Sequence, residues 1–311
     1  MTATRTLRVG TRGSLLARAQ TDLVVAALGA PVEIVPIVTD GDRSTAALDQ
    51  IGGTGVFVSA LRSALLSGDI DVAVHSYKDL PTGDAPGIVI AAVPRREDPR
   101  DALVARDGLM LGQLPAGSRI GTGSPRRAAQ LRALGLGFEI VPMRGNVDTR
   151  LRRVGEGAVD AVVLALAGLR RLGRDDEVTE ILDPIQVLPA PGQGALAVEC
   201  RASDVGTVAA VRIVDDADTR AAVAAERAVL AELEAGCTAP VAALAEIAEG
   251  DSVDGTISTE VFLRGSVTAP DGSRAVRLSS TGPVTDAEGV GRRLAAELIA
   301  EGADKMMGSS T

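Results

Sequence analysis

The sequence predicts two α/β domains followed by a smaller α+β domain. Segments with the patterns of strands and helices alternate over the first two thirds of the chain, which is typical of parallel α/β sheets. The chain has 311 residues, a length that suits two or three domains, and 46% of them are hydrophobic, which is ample for packed cores. Aromatic residues make up 1%, so alanine, valine, leucine and isoleucine must fill these cores.

The first predicted domain comprises residues 1–95 together with residues 193–213. Its first strand, residues 7–9, runs through a glycine-containing turn into a helix over residues 14–28, and Gly29 ends that helix. Further strands are predicted over residues 32–38, 70–74 and 88–93.

The second predicted domain, residues 99–189, repeats the alternation. Strands are expected near Asp101 and over residues 119–120, 139–141 and 160–164, and helices over residues 125–134 and 148–154. Three prolines then mark a segment that crosses between domains: Pro184, Pro189 and Pro191.

The third predicted domain, residues 216–311, has a different character. An alanine-rich helix over residues 219–234 precedes three strands, over residues 241–247, 256–266 and 275–279. The turn Pro270-Asp271-Gly272 joins the last two strands as a hairpin, and a helix over residues 286–300 follows. This order of elements predicts a small α+β domain.

The charge of the chain is negative overall but unevenly spread. The net charge of −9 argues against nucleic acid as a partner. Residues 119–153 nevertheless contain eight arginines and two acids. Because Phe138 is the one aromatic residue of this segment, stacking with nucleic-acid bases is not expected. The segment predicts a site for a small polyanion.

Composition also argues against other classes of protein. No apolar run reaches the length of a membrane span, and the N-terminal residues lead into a strand, so we expect a cytoplasmic protein without membrane contact. Two cysteines argue against a disulfide framework, and together with a single histidine they argue against a zinc site. We therefore expect no metal.

One segment, His75-Ser76-Tyr77-Lys78-Asp79-Leu80-Pro81, gathers chemically distinctive residues. It holds the chain's only histidine and only tyrosine, and Lys78 is one of two lysines beside 30 arginines. The segment follows a predicted strand, and open α/β sheets bind ligands at the carboxyl ends of their strands. A solvated Lys78–Asp79 pair in a capped turn is the alternative. The motifs that follow favour a reactive site.

Two glycine turns predict anion sites. Residues 9–14 and residues 120–124 each join a strand to the start of a helix, where unpaired N–H groups and the helix dipole attract anions. Ser124 alone would be an ordinary helix cap. Capping does not explain Arg126 and Arg127, because each cation in the first turn opposes the helix dipole by roughly 0.3–1 kcal/mol. A bound anion would account for both arginines.

Arginines recur at the next junction between a strand and a helix. The segment Arg144-Gly145-Asn146-Val147-Asp148-Thr149-Arg150 repeats the pattern, and Arg12 precedes the first helix in the same way. Arginine suits paired, in-plane hydrogen bonds to carboxylates, so a ligand with several carboxylates is predicted. Arg152 and Arg153 fit a solvated helix face instead.

The two cysteines lie in different contexts. Cys237 follows a glycine in the turn after the long helix of the third domain, where a thiolate nucleophile, an attachment point or a plain loop cysteine are all open interpretations. Cys200 ends an apolar run typical of a buried strand, so we expect it to be inert.

These motifs, in this order, resemble the porphobilinogen deaminase family over essentially the whole chain. The matching stretches are Gly10-Thr11-Arg12-Gly13-Ser14, Gly52-Gly53-Thr54-Gly55-Val56-Phe57, His75-Ser76-Tyr77-Lys78-Asp79-Leu80-Pro81, Arg96-Glu97-Asp98-Pro99-Arg100-Asp101, Gly121-Thr122-Gly123-Ser124-Pro125-Arg126-Arg127, Arg144-Gly145-Asn146, Ala167-Gly168-Leu169-Arg170-Arg171-Leu172-Gly173, Leu188-Pro189-Ala190-Pro191-Gly192-Gln193-Gly194-Ala195, Glu226-Arg227 and Gly236-Cys237.

The resemblance implies two domains like those of periplasmic binding proteins and a third that carries a dipyrromethane cofactor. The cofactor would be attached through a thioether to the cysteine that matches Cys237. The implied enzyme is a transferase of porphyrin and haem biosynthesis that joins four porphobilinogen molecules head to tail, releases ammonia at each step and yields hydroxymethylbilane. It would need no metal or nucleotide and would be a monomer.

The resemblance also implies roles for individual residues. Asp79 matches the catalytic carboxylate, which would hydrogen-bond pyrrole N–H groups and move protons. The residues that match cofactor contacts are Ser76, Lys78, Thr122, Ser124, Arg126, Arg127, Asn146, Gln193 and the covalent Cys237. The residues that match substrate contacts are Arg12, Ser14, Phe57, Arg144, Arg150 and Arg171, although burial in the first domain's core is an equal interpretation for Phe57.

One position departs from the family pattern. The glycine loop commonly reads Gly-Gly-Lys-Gly, and Thr54 stands here in place of the lysine, so a contact made by that lysine is not expected in this chain. Two other functions remain open. A non-catalytic polycarboxylate-binding protein would explain the arginines but not Asp79 or Cys237. An enzyme that forms a Schiff base on Lys78 would leave Cys237 without a role.

Overall fold

The computed structural model describes residues 5–38, 55–236, 239–253 and 256–307. The strands are β1 (Leu7–Arg12), β2 (Val32–Ile37), β3 (Val72–Ser76), β4 (Ile88–Ala92), β5 (Asp101–Ala105), β6 (Arg119–Thr122), β7 (Glu139–Pro142), β8 (Ala161–Ala165), β9 (Glu180–Ile181), β10 (Leu196–Arg201), β11 (Val241–Val253), β12 (Thr256–Thr268) and β13 (Ala275–Pro283). The helices are α1 (Leu15–Leu28), α2 (Gly55–Ser67), α3 (Pro125–Ala133), α4 (Val147–Gly155), α5 (Leu166–Arg171), α6 (Val205–Val211), α7 (Ala217–Glu232) and α8 (Ala287–Ala300).

The chain divides by its internal contacts into two units. Unit 1 comprises Met1–Glu97 and Ala195–Arg220. Unit 2 comprises Asp98–Gly194 and Ala221–Thr311, and so holds the second and third predicted domains together. Those two regions have separate sheets. The domain boundaries drawn from the sequence stay predictions.

Unit 1 is built on a five-stranded sheet of order β2-β1-β3-β10-β4. Strands β1, β2 and β3 are parallel, whereas β10 runs antiparallel to both β3 and β4. Because side chains alternate along a strand, β3 places Val72 and Val74 in the apolar cluster with α1, and Ala73 in the cluster with Leu61 and Leu65 of α2.

The α/β part of unit 2 repeats this topology in the order β7-β6-β8-β5-β9. Strands β6, β7 and β8 are parallel, and β5 runs antiparallel to β8 and β9. Both α/β regions therefore have mixed sheets, in which one strand runs antiparallel to the parallel strands that the α/β pattern predicts. Hydrophobic periodicity locates a strand, but it does not give the direction of a strand that enters the sheet without a helical crossover.

The remainder of unit 2 is the predicted α+β region. Strands β11, β12 and β13 form an antiparallel sheet, and Val261 and Leu263 of β12 share an apolar cluster with Val229 of α7 and Leu294 of α8. The hairpin predicted at residues 270–272 joins β12 to β13. Helices α2, α5 and α6 were not predicted from the sequence.

The start and the end predicted for the first helix are confirmed. Ser14 caps α1 by accepting a hydrogen bond from the Ala17 N–H, and Gly29 ends the helix with a φ of 60°. Among the helices that the structure describes, none combines the length and apolar character needed to cross a membrane.

Candidate active site

The segment singled out in the sequence forms a tight turn at the end of β3. Strand β3 ends at Ser76, and a 3-10 turn over Tyr77–Asp79 follows directly. The Tyr77 N–H donates to the Ala195 carbonyl at 3.0 Å, which fixes the turn to the start of β10. Tyr77 is buried, whereas Lys78 and Asp79 are partly exposed. The lysine and the carboxylate are thus presented at the carboxyl end of a central strand, as predicted.

The first glycine turn lies at the same edge of the sheet. Strands β1 and β3 are adjacent and parallel, so their carboxyl ends meet there. Strand β1 ends at Arg12, and Ser14 then caps α1 with its hydroxyl 3.2 Å from the Ala17 nitrogen. This edge of unit 1 therefore combines an arginine, a helix N-terminus and the Asp79 carboxylate, which suits a ligand with both anionic groups and N–H donors.

Ser76 is held by a residue that sequence analysis did not identify. The Gln20 side chain donates from Nε2 to Ser76 Oγ at 2.8 Å, and Ser76 Oγ lies 3.1 Å from Gln20 Oε1. Gln20 is on the buried face of α1. The Ser76 hydroxyl is therefore already engaged by Gln20, and its contact with a cofactor stays a prediction.

His75 belongs to a buried ionic network on the opposite face of β3. Its Nε2 lies 3.2 Å from Glu199 Oε2 on β10, and Arg62 of α2 donates to both oxygens of that carboxylate, with Nη2 at 2.7 Å from Oε1. Burial would raise the pKa of Glu199, but the contact with His75 and the hydrogen bonds from Arg62 lower that pKa to about 2. Glu199 is therefore ionised near neutral pH.

In unit 2, the predicted anion sites are capped helix starts. Ser124 caps α3, with its hydroxyl 3.4 Å from the Arg127 nitrogen, and the Ser124 N–H donates to Thr122 Oγ1 at 3.2 Å. Asn146 caps α4 by accepting from the Thr149 N–H at 2.9 Å. Strands β6 and β7 are parallel neighbours, so these helix starts lie at one edge of the sheet.

Arg126 and Arg127 share a buried carboxylate that the sequence did not point to. Arg126 Nη2 lies 2.7 Å from Asp101 Oδ2, and Arg127 Nη2 lies 2.7 Å from Asp101 Oδ1. All three residues are at most 5% exposed. Burial would raise the pKa of Asp101, but the two guanidinium groups hold it well below its usual range. The carboxylate is therefore charged, and it neutralises one of the two cations.

Gln193 completes this cluster. Its Nε2 donates to Asp101 Oδ1 at 2.8 Å and to the Pro99 carbonyl at 2.7 Å, and its Oε1 accepts from Arg127 Nη2 at 3.2 Å. Next to it in the chain, the Gly194 carbonyl accepts from Arg171 Nη2 at 2.6 Å. These contacts assign Gln193 and Arg171 a part in the internal packing of unit 2, and their contacts with a ligand stay predictions.

Arg150 adds a further cation. Burial and the positive charge of Arg127 lower the pKa of Arg150 to about 10, and its Nε donates to the Gly145 carbonyl at 2.9 Å. The side-chain contacts of Arg126 and Arg127 include one carboxylate among the described residues, that of Asp101. Arg126 and Arg127 share one carboxylate, and Arg150 adds a positive charge beside Arg127, so an excess of positive charge remains that an anionic ligand would neutralise. Arg144, by contrast, is exposed.

The cysteine predictions have different outcomes. Cys200 is fully buried in β10, and burial raises the pKa of its thiol to about 12, which confirms that it is not a reactive thiolate. Cys237, Thr54 and the side chain of Phe57 lie outside the residues that are described, although the backbone of Phe57 belongs to α2.

Two family models match the chain in succession. The model described as porphobilinogen deaminase, dipyromethane cofactor binding domain, matches residues 7–209, and the model described as porphobilinogen deaminase, C-terminal domain, matches residues 220–300. The chain belongs to the porphobilinogen deaminase family. This membership confirms the predicted family and enzyme class, a transferase of tetrapyrrole biosynthesis.

Curated relatives match at high identity over nearly the full chain. The porphobilinogen deaminases of Nocardia farcinica, Mycobacterium avium and Mycobacterium tuberculosis are each 59% identical over 304 residues, or 97% of this chain. The matched region covers 88%, 96% and 98% of those proteins, respectively. The similarity therefore extends over whole proteins.

Solved structures of binding proteins are more distant. The L-cystine solute receptor of Neisseria gonorrhoeae is 16% identical, with 68% of this chain and 86% of the receptor covered and a TM-score of 0.38. An ancestral arginine-binding protein is 20% identical, with 67% and 90% covered and a TM-score of 0.33. Similarity at this level does not extend to function.

Proposed function

We propose that this chain forms hydroxymethylbilane with Asp79 as the catalytic carboxylate and with a dipyrromethane cofactor attached to Cys237 through a thioether. As a member of the porphobilinogen deaminase family, it joins four porphobilinogen molecules head to tail and releases ammonia at each step. The assignment of the anion-binding residues is carried by the buried excess of positive charge where Arg126 and Arg127 share the single carboxylate of Asp101. Each pyrrole unit bears an acetate and a propionate group, so the ligand supplies the missing negative charge.

The residues of unit 2 fit the dipyrromethane cofactor. Guanidinium groups bind carboxylates through paired in-plane hydrogen bonds, and the capped N-termini of α3 and α4 favour anions at the same sheet edge. Arg126, Arg127 and Arg150 would take the acidic side chains of the cofactor and of the growing chain. Thr122, Ser124 and Asn146 would add hydroxyl and amide groups there. When bound, the cofactor supplies the pyrrole α-carbon to which the first substrate is joined.

Asp79 has the position and chemistry for the reactive step. Loss of ammonia from porphobilinogen leaves an electron-poor azafulvene, which the free α-carbon of the preceding pyrrole attacks to form a carbon–carbon bond. The coupled product then loses the proton that this α-carbon still carries, which restores the aromatic pyrrole. A carboxylate next to these pyrroles can accept hydrogen bonds from their N–H groups, stabilise the developing positive charge and carry the proton. Asp79, partly exposed at the end of β3, meets these requirements.

The remaining predicted contacts follow from the same arrangement. Arg12, Ser14, Ser76 and Lys78 lie at the edge of unit 1 that carries Asp79, and we assign them to the carboxylates of the cofactor and of porphobilinogen. Arg144, Arg171, Gln193 and Phe57 keep their predicted roles as contacts of the cofactor or substrate. Lys78 would act as a point charge for a carboxylate rather than as a Schiff base.

We also infer that the enzyme works in the cytoplasm as a monomer. The thioether requires that Cys237 be a free thiol when the cofactor is attached, and Cys200 is a free thiol in the structure. A reducing compartment suits both cysteines.

The proposal is tested by intact mass measurement and peptide mapping of freshly purified protein. We expect an added mass equal to two linked pyrrole units on the peptide that contains Cys237, and no addition on Cys200. A Cys200→Ser variant should keep the adduct and the activity, whereas Cys237→Ser should lose both. An unmodified Cys237 that also fails to gain the adduct from porphobilinogen would overturn the proposal. Porphobilinogen binding without ammonia release would then indicate a polycarboxylate-binding protein.

A further inference from the structure

The turn that carries Asp79 is held from both faces of the sheet. Ser76 and His75 are the last two residues of β3 and point to opposite faces. Ser76 is bound by Gln20 of α1, and His75 contacts Glu199, which Arg62 of α2 binds. The reactive turn therefore follows two residues whose side chains are each fixed by a different helix.

The network on the α2 face is almost fully enclosed. The side chains of His75 and Glu199 are 5% and 1% exposed, and that of Arg62 is 19% exposed. Arg62 binds the carboxylate through Nε and Nη2 together, which fixes its plane, and the remaining approach to Oε2 is taken by His75. The carboxylate thus sets the position of the imidazole relative to α2.

Stability alone is a weak reason for such a network. Replacing a buried ion pair by apolar residues of similar volume is often neutral or stabilising, so buried ionic groups are better explained where they specify one arrangement. Here that arrangement concerns His75, four residues before Asp79, and the helix α2, which begins at Gly55. Arg62 therefore connects the reactive turn to the helix whose first turn contains Phe57.

We propose that Arg62, Glu199 and His75 form a positioning network that holds the Asp79 turn against α2, so that turnover depends on this network through kcat rather than through KM. The inference rests on the proposed catalytic role of Asp79. His75 acts here through the close approach of its imidazole Nε2 to Glu199 Oε2 and not by transferring protons to substrate. A displacement of about 1 Å in a reacting group can reduce a rate by about 100-fold, which is the scale of effect at issue.

The same strand provides a matched control at its other end. Asp71 precedes β3, is fully buried and binds Arg8, Arg201 and Arg5 at 2.9, 3.0 and 2.6 Å. This cluster also joins β3 to neighbouring elements through a buried carboxylate. Because it lies at the opposite end of the strand from the reactive turn, its loss should destabilise unit 1 without changing the chemistry.

The test compares initial rates of hydroxymethylbilane formation by holoenzyme, normalised to the amount of folded, cofactor-carrying protein. We expect Glu199→Gln and Arg62→Met to lower kcat by about 10- to 100-fold and to change KM by no more than about twofold. Asp71→Asn should lower the melting temperature and leave kcat within about twofold of the wild type. If Glu199→Gln does not fold, the kcat of Arg62→Met tests the proposal, because the Arg62 side chain lies at the edge of the network and is less buried than Glu199.

A pair of variants at His75 separates positioning from proton transfer. Gln places a polar amide nitrogen near the position of Nε2, so His75→Gln should keep kcat within about threefold, whereas His75→Leu, with no polar atom there, should lower it by about tenfold or more. Wild-type kcat in Glu199→Gln or Arg62→Met, or equal losses in both His75 variants, would overturn the proposal. An active Asp79→Asn variant would instead overturn the proposed function, so the two failures are distinguishable.

Discussion

Arg127 donates from both Nε and Nη2 to one oxygen of Asp101 inside unit 2, at 3.0 and 2.7 Å. The other oxygen of Asp101 binds Arg126 at 2.7 Å. One carboxylate thus organises the two arginines at the start of α3. Those arginines keep their positions in the structure through Asp101, and an anionic ligand would neutralise the charge that remains.

Removal of the Asp101 charge should destabilise unit 2. In Asp101→Asn, two buried guanidinium groups lose their counter-ion, and we expect the free energy of unfolding to fall by about 3–5 kcal/mol. Urea unfolding of the holoenzyme, followed by circular dichroism, measures this change. Asp176→Asn is the control, because that carboxylate is exposed in the same unit, and it should change stability by no more than about 0.5 kcal/mol. Equal stability of the two variants would contradict the role assigned to Asp101.

Arg150 should contribute to binding rather than to folding. Its burial beside Arg127 disfavours its charge, so Arg150→Met should leave stability unchanged or raise it slightly. Loss of a charged hydrogen bond to a carboxylate costs about 1.5–3 kcal/mol, which predicts a KM for porphobilinogen that is higher by about 10- to 100-fold. Arg152→Met is the matched control, since Arg152 lies on the same helix with its side chain 68% exposed. A KM equal to that of the control would remove Arg150 from the binding site.

Protonation of Asp71 at low pH should lower the stability of unit 1. Burial would raise the pKa of Asp71, but hydrogen bonds from the Arg8 side chain and N–H and from Arg201 lower it from 3.8 to about 2. A carboxyl with a lowered pKa in the folded state stabilises the fold above its unfolded pKa, and this contribution is lost as the pH falls through the folded value. We therefore expect the Asp71 contribution to disappear between about pH 4 and pH 2.

The comparison of wild type with Asp71→Asn checks this window. Thermal melts between pH 7 and pH 2 should show a large difference in melting temperature at pH 7 that narrows towards pH 2. A difference that stays constant over this range would show that the ionised carboxylate is not the source of the stability.

The contrast between what the sequence could and could not predict follows from the range of the interactions. Ser14, Gly29 and Ser124 were identified because caps act within one turn of the chain. Asp101 was not, because its partners on α3 lie 25 and 26 residues away. Glu199 was missed for the same reason, since it is 137 residues from Arg62. A carboxylate that looks ordinary in its local sequence becomes a counter-ion only when the strands pair.

The direction of the strands could not be predicted from the sequence for the same reason. Periodicity located β5 and the run that forms β10, but their antiparallel pairing depends on contacts with β8 and with β3 and β4. Lys78 and Asp79 lie at a strand end as expected, because a turn after a buried strand is visible in the local sequence, whereas their roles stay predictions. Cys237 and Thr54 lie outside the described residues. The role of Cys237 rests on the proposed function.

The most direct test of the central claim is the rate of hydroxymethylbilane formation by Asp79→Asn holoenzyme. The variant keeps the size and hydrogen-bonding oxygen of the side chain but loses its charge and basicity. If Asp79 is the catalytic carboxylate, the rate should fall by about 100- to 10,000-fold, while the melting temperature and the dipyrromethane mass on Cys237 stay unchanged. A normal rate of product formation by folded, cofactor-carrying Asp79→Asn would contradict the account.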